Sequence, residues 1–103
     1  MKDFTHFMDW LWENNLELIF CDCNFLIQYA SYWKKRGKVL PTHRVQIKDV
    51  WEKKAGKELW GLEGYGQSDE EALENLIEKL TNKPLRIMNS DKTWDDVPIY
   101  NGK

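Results

Sequence analysis

Long hydrophobic runs are missing from this sequence. The longest, Leu16–Cys21, is broken by Glu17, whereas a membrane-spanning helix requires roughly 20 apolar residues. A transmembrane helix is therefore excluded. The opening Met1-Lys2-Asp3-Phe4-Thr5-His6 lacks the charged-then-apolar build of a secretory signal, and the expected location is cytoplasmic. Cysteine and histidine are equally scarce, with two of each. Cys21 and Cys23 flank Asp22, and alternate residues of an extended chain hold their side chains apart, which leaves no disulfide framework. Zinc would need further ligands, and His6 and His43 stand at no recognised spacing. The expectation is no metal and no cofactor.

Catalytic patterns are lacking too. Nothing places His43 beside either thiol, and the adjacent carboxylates Asp95 and Asp96 diverge in direction. Gly64-x-Gly66 starts like a phosphate loop, but Asp69 occupies the third glycine position and the acids at 69–71 repel phosphate. Glycines that turn a strand into a helix suffice to explain it. The chain is read as a non-enzyme.

What is present is apolar bulk and segregated charge. Hydrophobic residues make up 42% of 103 residues and six are Trp, enough for one packed domain and too much for a disordered chain. The formal charge of −2 hides an acidic–basic–acidic order. Residues 1–30 carry −4, residues 31–57 carry +7 and residues 58–103 carry −5. Such asymmetry concerns partners rather than fold.

Periodicity supplies the elements. Phe4, Phe7, Met8 and Leu11 form one helical stripe over 3–14, with Asp3 as its cap. Trp10 and Trp12 lie off that stripe, so the helix is buried on more than one side or presents both indoles to a partner. Leu16–Cys21 suits a strand or a continued helix equally well. Phe25, Leu26, Tyr29, Tyr32 and Trp33 mark a second helix over 24–36, closed by Lys34-Lys35-Arg36-Gly37. Arg44–Lys48 alternates, Trp51 keeps the phase of Val45 and Ile47, and a turn at 53–57 leads into a return strand at 58–63. Asp49 falls on the inward phase, which predicts a bulge near 49–50. Ser68 and Glu71 form a capping box ahead of the stripe Ala72, Leu73, Leu76, Ile77 and Leu80. Pro84 ends that helix, and Leu85-Arg86-Ile87 suggests a last edge strand. The expected domain is 1–88, with a tail at 89–103 that is loosely ordered or docked through its apolar residues. The fold class expected is α+β, helices packed on one face of a small antiparallel sheet.

The segment Gly64-Tyr65-Gly66-Gln67-Ser68-Asp69-Glu70-Glu71-Ala72-Leu73 resembles the strand–Gly–Ser/Thr–Glu-Glu-Ala-Leu unit of HicB-like antitoxins. It is also similar to units in many small phage and prophage proteins. The likeness extends over residues 44–87 and implies a phage or prophage accessory protein. No functional residue carries over from it.

Two surfaces remain as candidates. Glu70, Glu74 and Glu78 stand at i, i+4 and i+8 with Asp69 at their start, a line of like charge that costs a few tenths of a kcal/mol per pair. With Trp10 and Trp12 they are the expected contacts for a protein partner with a basic surface. The alternative is a nucleic-acid-binding module. It would use Trp33, Lys34, Lys35, Arg36 and Lys38 together with Lys53, Lys54 and Lys57, the two cationic clusters of the 33–57 region. No membrane partner is expected.

Overall fold

A computed structural model describes residues 3–22, 34–37, 39–53 and 59–102. Among them the elements run α1 (Thr5–Glu13), β1 (Leu18–Asp22), β2 (His43–Lys53), β3 (Leu59–Gly66), α2 (Asp69–Leu80), β4 (Leu85–Met88) and β5 (Trp94–Val97). The class is α+β, with the strands in one antiparallel sheet. Most of the helix expected over 24–36 lies outside the described residues. At the position where its end is expected, Gly37 has φ +66° and its N–H donates to the Lys34 carbonyl.

The phase of β2 organises the sheet. Val45 and Ile47 are buried, and simple alternation would next bury Asp49 and Trp51. An unpaired carboxylate in the core is costly. Asp49 instead takes φ +58°, and the pairing with β3 slips between Gln46 and Trp51. The expected bulge is therefore present. It carries Val50 into the core and turns Trp51 to the outer face, so Trp51 does not keep the phase of Val45 and Ile47.

The same bulge divides the neighbours of β2. β1 pairs with residues 43–47 and β4 with residues 50–52, while β3 follows both parts. β5 pairs with β4. The stretch 85–87 is thus internal rather than an edge, because β5, formed by part of the expected tail, covers it. Leu16–Cys21 resolves into a strand for a local reason. Asn15 takes φ +55°, and the N–H groups of Asn15 and Leu16 donate to the Trp12 and Leu11 carbonyls at 3.2 and 2.9 Å. This left-handed cap stops α1 and redirects the chain into β1. At the other end Asp3 sits one residue further out than expected. Phe4 occupies the cap position, and the Asp3 carboxylate accepts from the Thr5 N–H at 2.8 Å.

The core combines Phe7, Trp10 and Leu11 of α1, Ala72, Leu73, Leu76 and Leu80 of α2, and the inward residues of the sheet. The tail closes it. Tyr100 is 6% exposed and packs edge-on against Phe7 with ring centroids 5.3 Å apart. Its carbonyl accepts from the Asn82 N–H at 2.8 Å, and the Pro98 carbonyl accepts from the Trp10 indole at 3.0 Å. Val97 and Tyr100 of this segment are thus both part of the core.

α2 lies directly on the backbone of β3. A Cβ at Gly64 would stand 2.0 Å from the Ala72 carbonyl oxygen, and one at Gly66 would stand 2.7 Å from the Ala72 nitrogen. Only glycine permits this approach. The glycines therefore serve helix–strand contact rather than the turn expected of them. Close approach also lets one line of α2 side chains reach the open edge of β3. The Glu71 carboxylate accepts from the Gln67 N–H at 3.3 Å, Asn75 donates to the Tyr65 carbonyl at 2.6 Å, and Lys79 donates to the Glu63 carbonyl at 2.9 Å. A four-residue step along the helix matches a two-residue step along the antiparallel strand. The edge is thereby closed to pairing with other chains.

Gly64→Ala should lower stability by at least about 1–3 kcal/mol through overpacking, read from urea denaturation. Asn75→Ala combined with Lys79→Ala should uncover the β3 edge and raise self-association in sedimentation velocity.

Candidate functional site

Among the described residues, helices α1 and α2 are both acidic. Together α1 and α2 contain seven acidic residues and one lysine. That lysine, Lys79, is drawn to the sheet edge, where its ammonium lies 5.4 Å from the Tyr65 ring centre. Asp69, Glu70 and Glu78 are exposed, as are Asp9 and Glu13 of α1. Glu74 departs from the expected exposed line. It is half-buried and lines a hollow between the helices.

This hollow, about 170 Å³, is bounded by Asp3, Phe4, Phe7, Glu74, Ile77 and Tyr100. Its floor is aromatic and aliphatic, and its two polar walls are carboxylates. Hydrogen bonds from the Thr5 side chain and backbone hold the Asp3 carboxyl below the ordinary carboxylate range, so it remains ionised. Burial raises the Tyr100 phenol, which stays neutral. Only fragments of this arrangement are legible from local spacing. Phe4–Phe7 and Glu74–Ile77 are each one helical turn apart, but Tyr100 arrives from the tail and no local pattern announces it.

The tryptophans divide. Trp10 is 8% exposed and its indole is engaged by Pro98, so burial on a second side of α1 accounts for it and removes it from the contact candidates. Trp12 is 84% exposed, and Met8, expected in the stripe, is 39% exposed. Trp12 therefore shares the acidic helical layer. The reason lies in the direction of the core. Tyr100 draws the buried face of α1 toward Phe7 and Trp10 and leaves Met8 outside.

The basic alternative is only partly described. Lys34, Lys35 and Arg36 are exposed, and Lys53 is half-buried at the end of β2. Trp33, Lys38, Lys54 and Lys57 lie outside the described residues.

The outer sheet face carries two further groupings. Arg44 pairs with Glu63 at 3.3 Å, and Glu63 also accepts from the Tyr65 hydroxyl. The Cys21 thiol, hydrogen-bonded to Arg44, and the nearby Glu63 raise the Arg44 pKa against the opposing effect of burial. Trp51 and Trp94 meet edge-to-face at 5.5 Å. A cleft of about 370 Å³ opens at the β2 bulge, with Lys48 and Asp49 at its rim and Ile47, Val50 and Leu62 beneath. Among the described residues no group of three His, Cys, Asp or Glu side chains is placed to hold a metal ion, and no helix is long and apolar enough to cross a membrane.

No protein-family model matches the sequence, and no curated protein or solved structure matches it significantly.

Trp10→Ala should destabilise the protein by about 3–5 kcal/mol. Trp12→Ala should stay within about 0.5 kcal/mol of wild type. Thermal and urea unfolding of both variants would show the difference, and equal losses would contradict the division of the two indoles.

Proposed function

We propose that this protein is a small non-enzymatic binding protein whose helical layer covers a basic surface of a protein partner. The observation that supports this reading most is the charge of that layer: seven acids against a single lysine that is turned to the sheet edge. Stability alone gives no reason for such a layer, because like charges four residues apart on α2 repel. Complementary charge acts chiefly on encounter rate, and an exposed indole such as Trp12 supplies contact area that charge does not. The phage or prophage accessory type belongs to the same proposal and rests on the HicB-like resemblance of residues 44–87.

The test is association with the partner that wild type captures. Glu70→Gln combined with Glu78→Lys removes negative charge while leaving the pocket between the helices untouched. Lysine at position 78 stands near the negative end of the α2 dipole and four residues after Glu74, both favourable placements. The variant should therefore fold as wild type does, and its association rate should fall about tenfold at low salt while converging on wild type at high salt. An unchanged rate at low salt would make the glutamates a solvated face. Retention on heparin, with no charge-dependent protein capture, would instead support the basic 33–57 region.

A further inference from the structure

We propose that the hollow between α1 and α2 is a receptor for one arginine side chain of the partner protein. This rests on the reading of the helical layer as the binding face, and it specifies what that face recognises.

Size comes first. At about 170 Å³ the hollow is well below the roughly 300–1,000 Å³ typical of sites for drug-sized molecules. A single side chain is the scale it suits. Its chemistry narrows the choice. Phe4, Phe7, Ile77 and Tyr100 line it with apolar atoms against which a methylene stem can lie. Asp3 and Glu74 place carboxylates at the wall. An anionic or neutral polar side chain would meet repulsion or lose hydration there without compensation.

Arginine fits better than lysine. Its guanidinium is weakly hydrated and presents five donors on a planar fork that matches carboxylate oxygens. Lysine is a compact, strongly hydrated charge that gives up more water on entry. The positive end of α1 lies nearby, yet the Asp3 carboxylate already accepts from the Thr5 N–H and offsets it. The bond that Asp3 accepts from Thr5 does not close the site, because an ionised carboxylate has about four acceptor positions; Glu74 also has an interaction within the chain.

The experiment is a nitrogen-15 NMR titration of the full chain with N-acetyl-arginine-methylamide, using the lysine and citrulline counterparts as controls. Saturable shifts should appear at the amides of Phe4, Glu74, Ile77 and Tyr100 in the millimolar range. The lysine compound should bind more weakly and the citrulline compound not measurably. Asp3→Asn and Glu74→Gln, made separately so that loss of one fold does not remove the test, should each weaken arginine binding about three- to fivefold. Shifts as large with citrulline, equal binding by lysine, or unchanged binding in both variants would overturn the proposal. A hexa-arginine peptide separates the two levels of the argument. Shifts at Glu70 and Glu78 without the pocket residues would overturn the arginine receptor and keep the acidic layer. Shifts at neither would end both.

Discussion

The contact between α2 and the backbone of β3 is the constraint on which the rest depends. With Gly64 and Gly66 presenting no side chain, the helix sits close enough for Ala72 and Leu76 to touch the strand itself. That closeness fixes the rotation of the helix. Ala72, Leu73, Leu76 and Leu80 must then face inward, and Glu71, Asn75 and Lys79 must run along the open edge of β3. Glu70 and Glu78 are left outward, and Glu74 leans toward α1. One steric fact thus builds the core, seals a sheet edge and sets the orientation of the acidic surface.

A second dependency runs through the tail. Tyr100 fills the space between the two helices, with its carbonyl held by the Asn82 N–H after α2 and its neighbour Pro98 held by Trp10 of α1. The helical layer is therefore tied together by residues far apart in sequence. Tyr100 also forms part of the floor beneath the two carboxylates, so the packing that stabilises the layer also shapes the hollow within it. Repulsion among exposed acids weakens the layer only slightly in water, since each such pair costs a few tenths of a kcal/mol.

Local chemistry made some of this legible in the sequence. Ser68 caps α2 as expected, its hydroxyl accepting from the Glu71 N–H at 3.1 Å, although the Glu71 carboxylate reaches Gln67 rather than Ser68. An inward-phased Asp49 was enough to anticipate the bulge. Contacts formed across long separations were not legible. Nothing near Trp10 indicates that Pro98 and Tyr100 will bury it, and nothing near Leu85 indicates that β5 will cover it. The outward turn of Trp51 does not follow from alternation, because the bulge between Gln46 and Trp51 resets the phase. Gly64 and Gly66 are ambiguous for a related reason: a turn and a close helix contact both favour glycine, and one strand cannot distinguish them. For the site, the exposed acids followed from helical spacing, whereas the hollow required two helices and the tail together.

The central claim is that the helical layer, and not the outer face of the sheet, meets the partner. Oxidative footprinting of tryptophan in the free protein and in its complex tests this most directly, because Trp12 on α1 is 84% exposed and Trp94 on the sheet is 38% exposed. The account predicts strong protection of Trp12 in the complex and unchanged labelling of Trp94. Protection of Trp94 with Trp12 still reactive would contradict it.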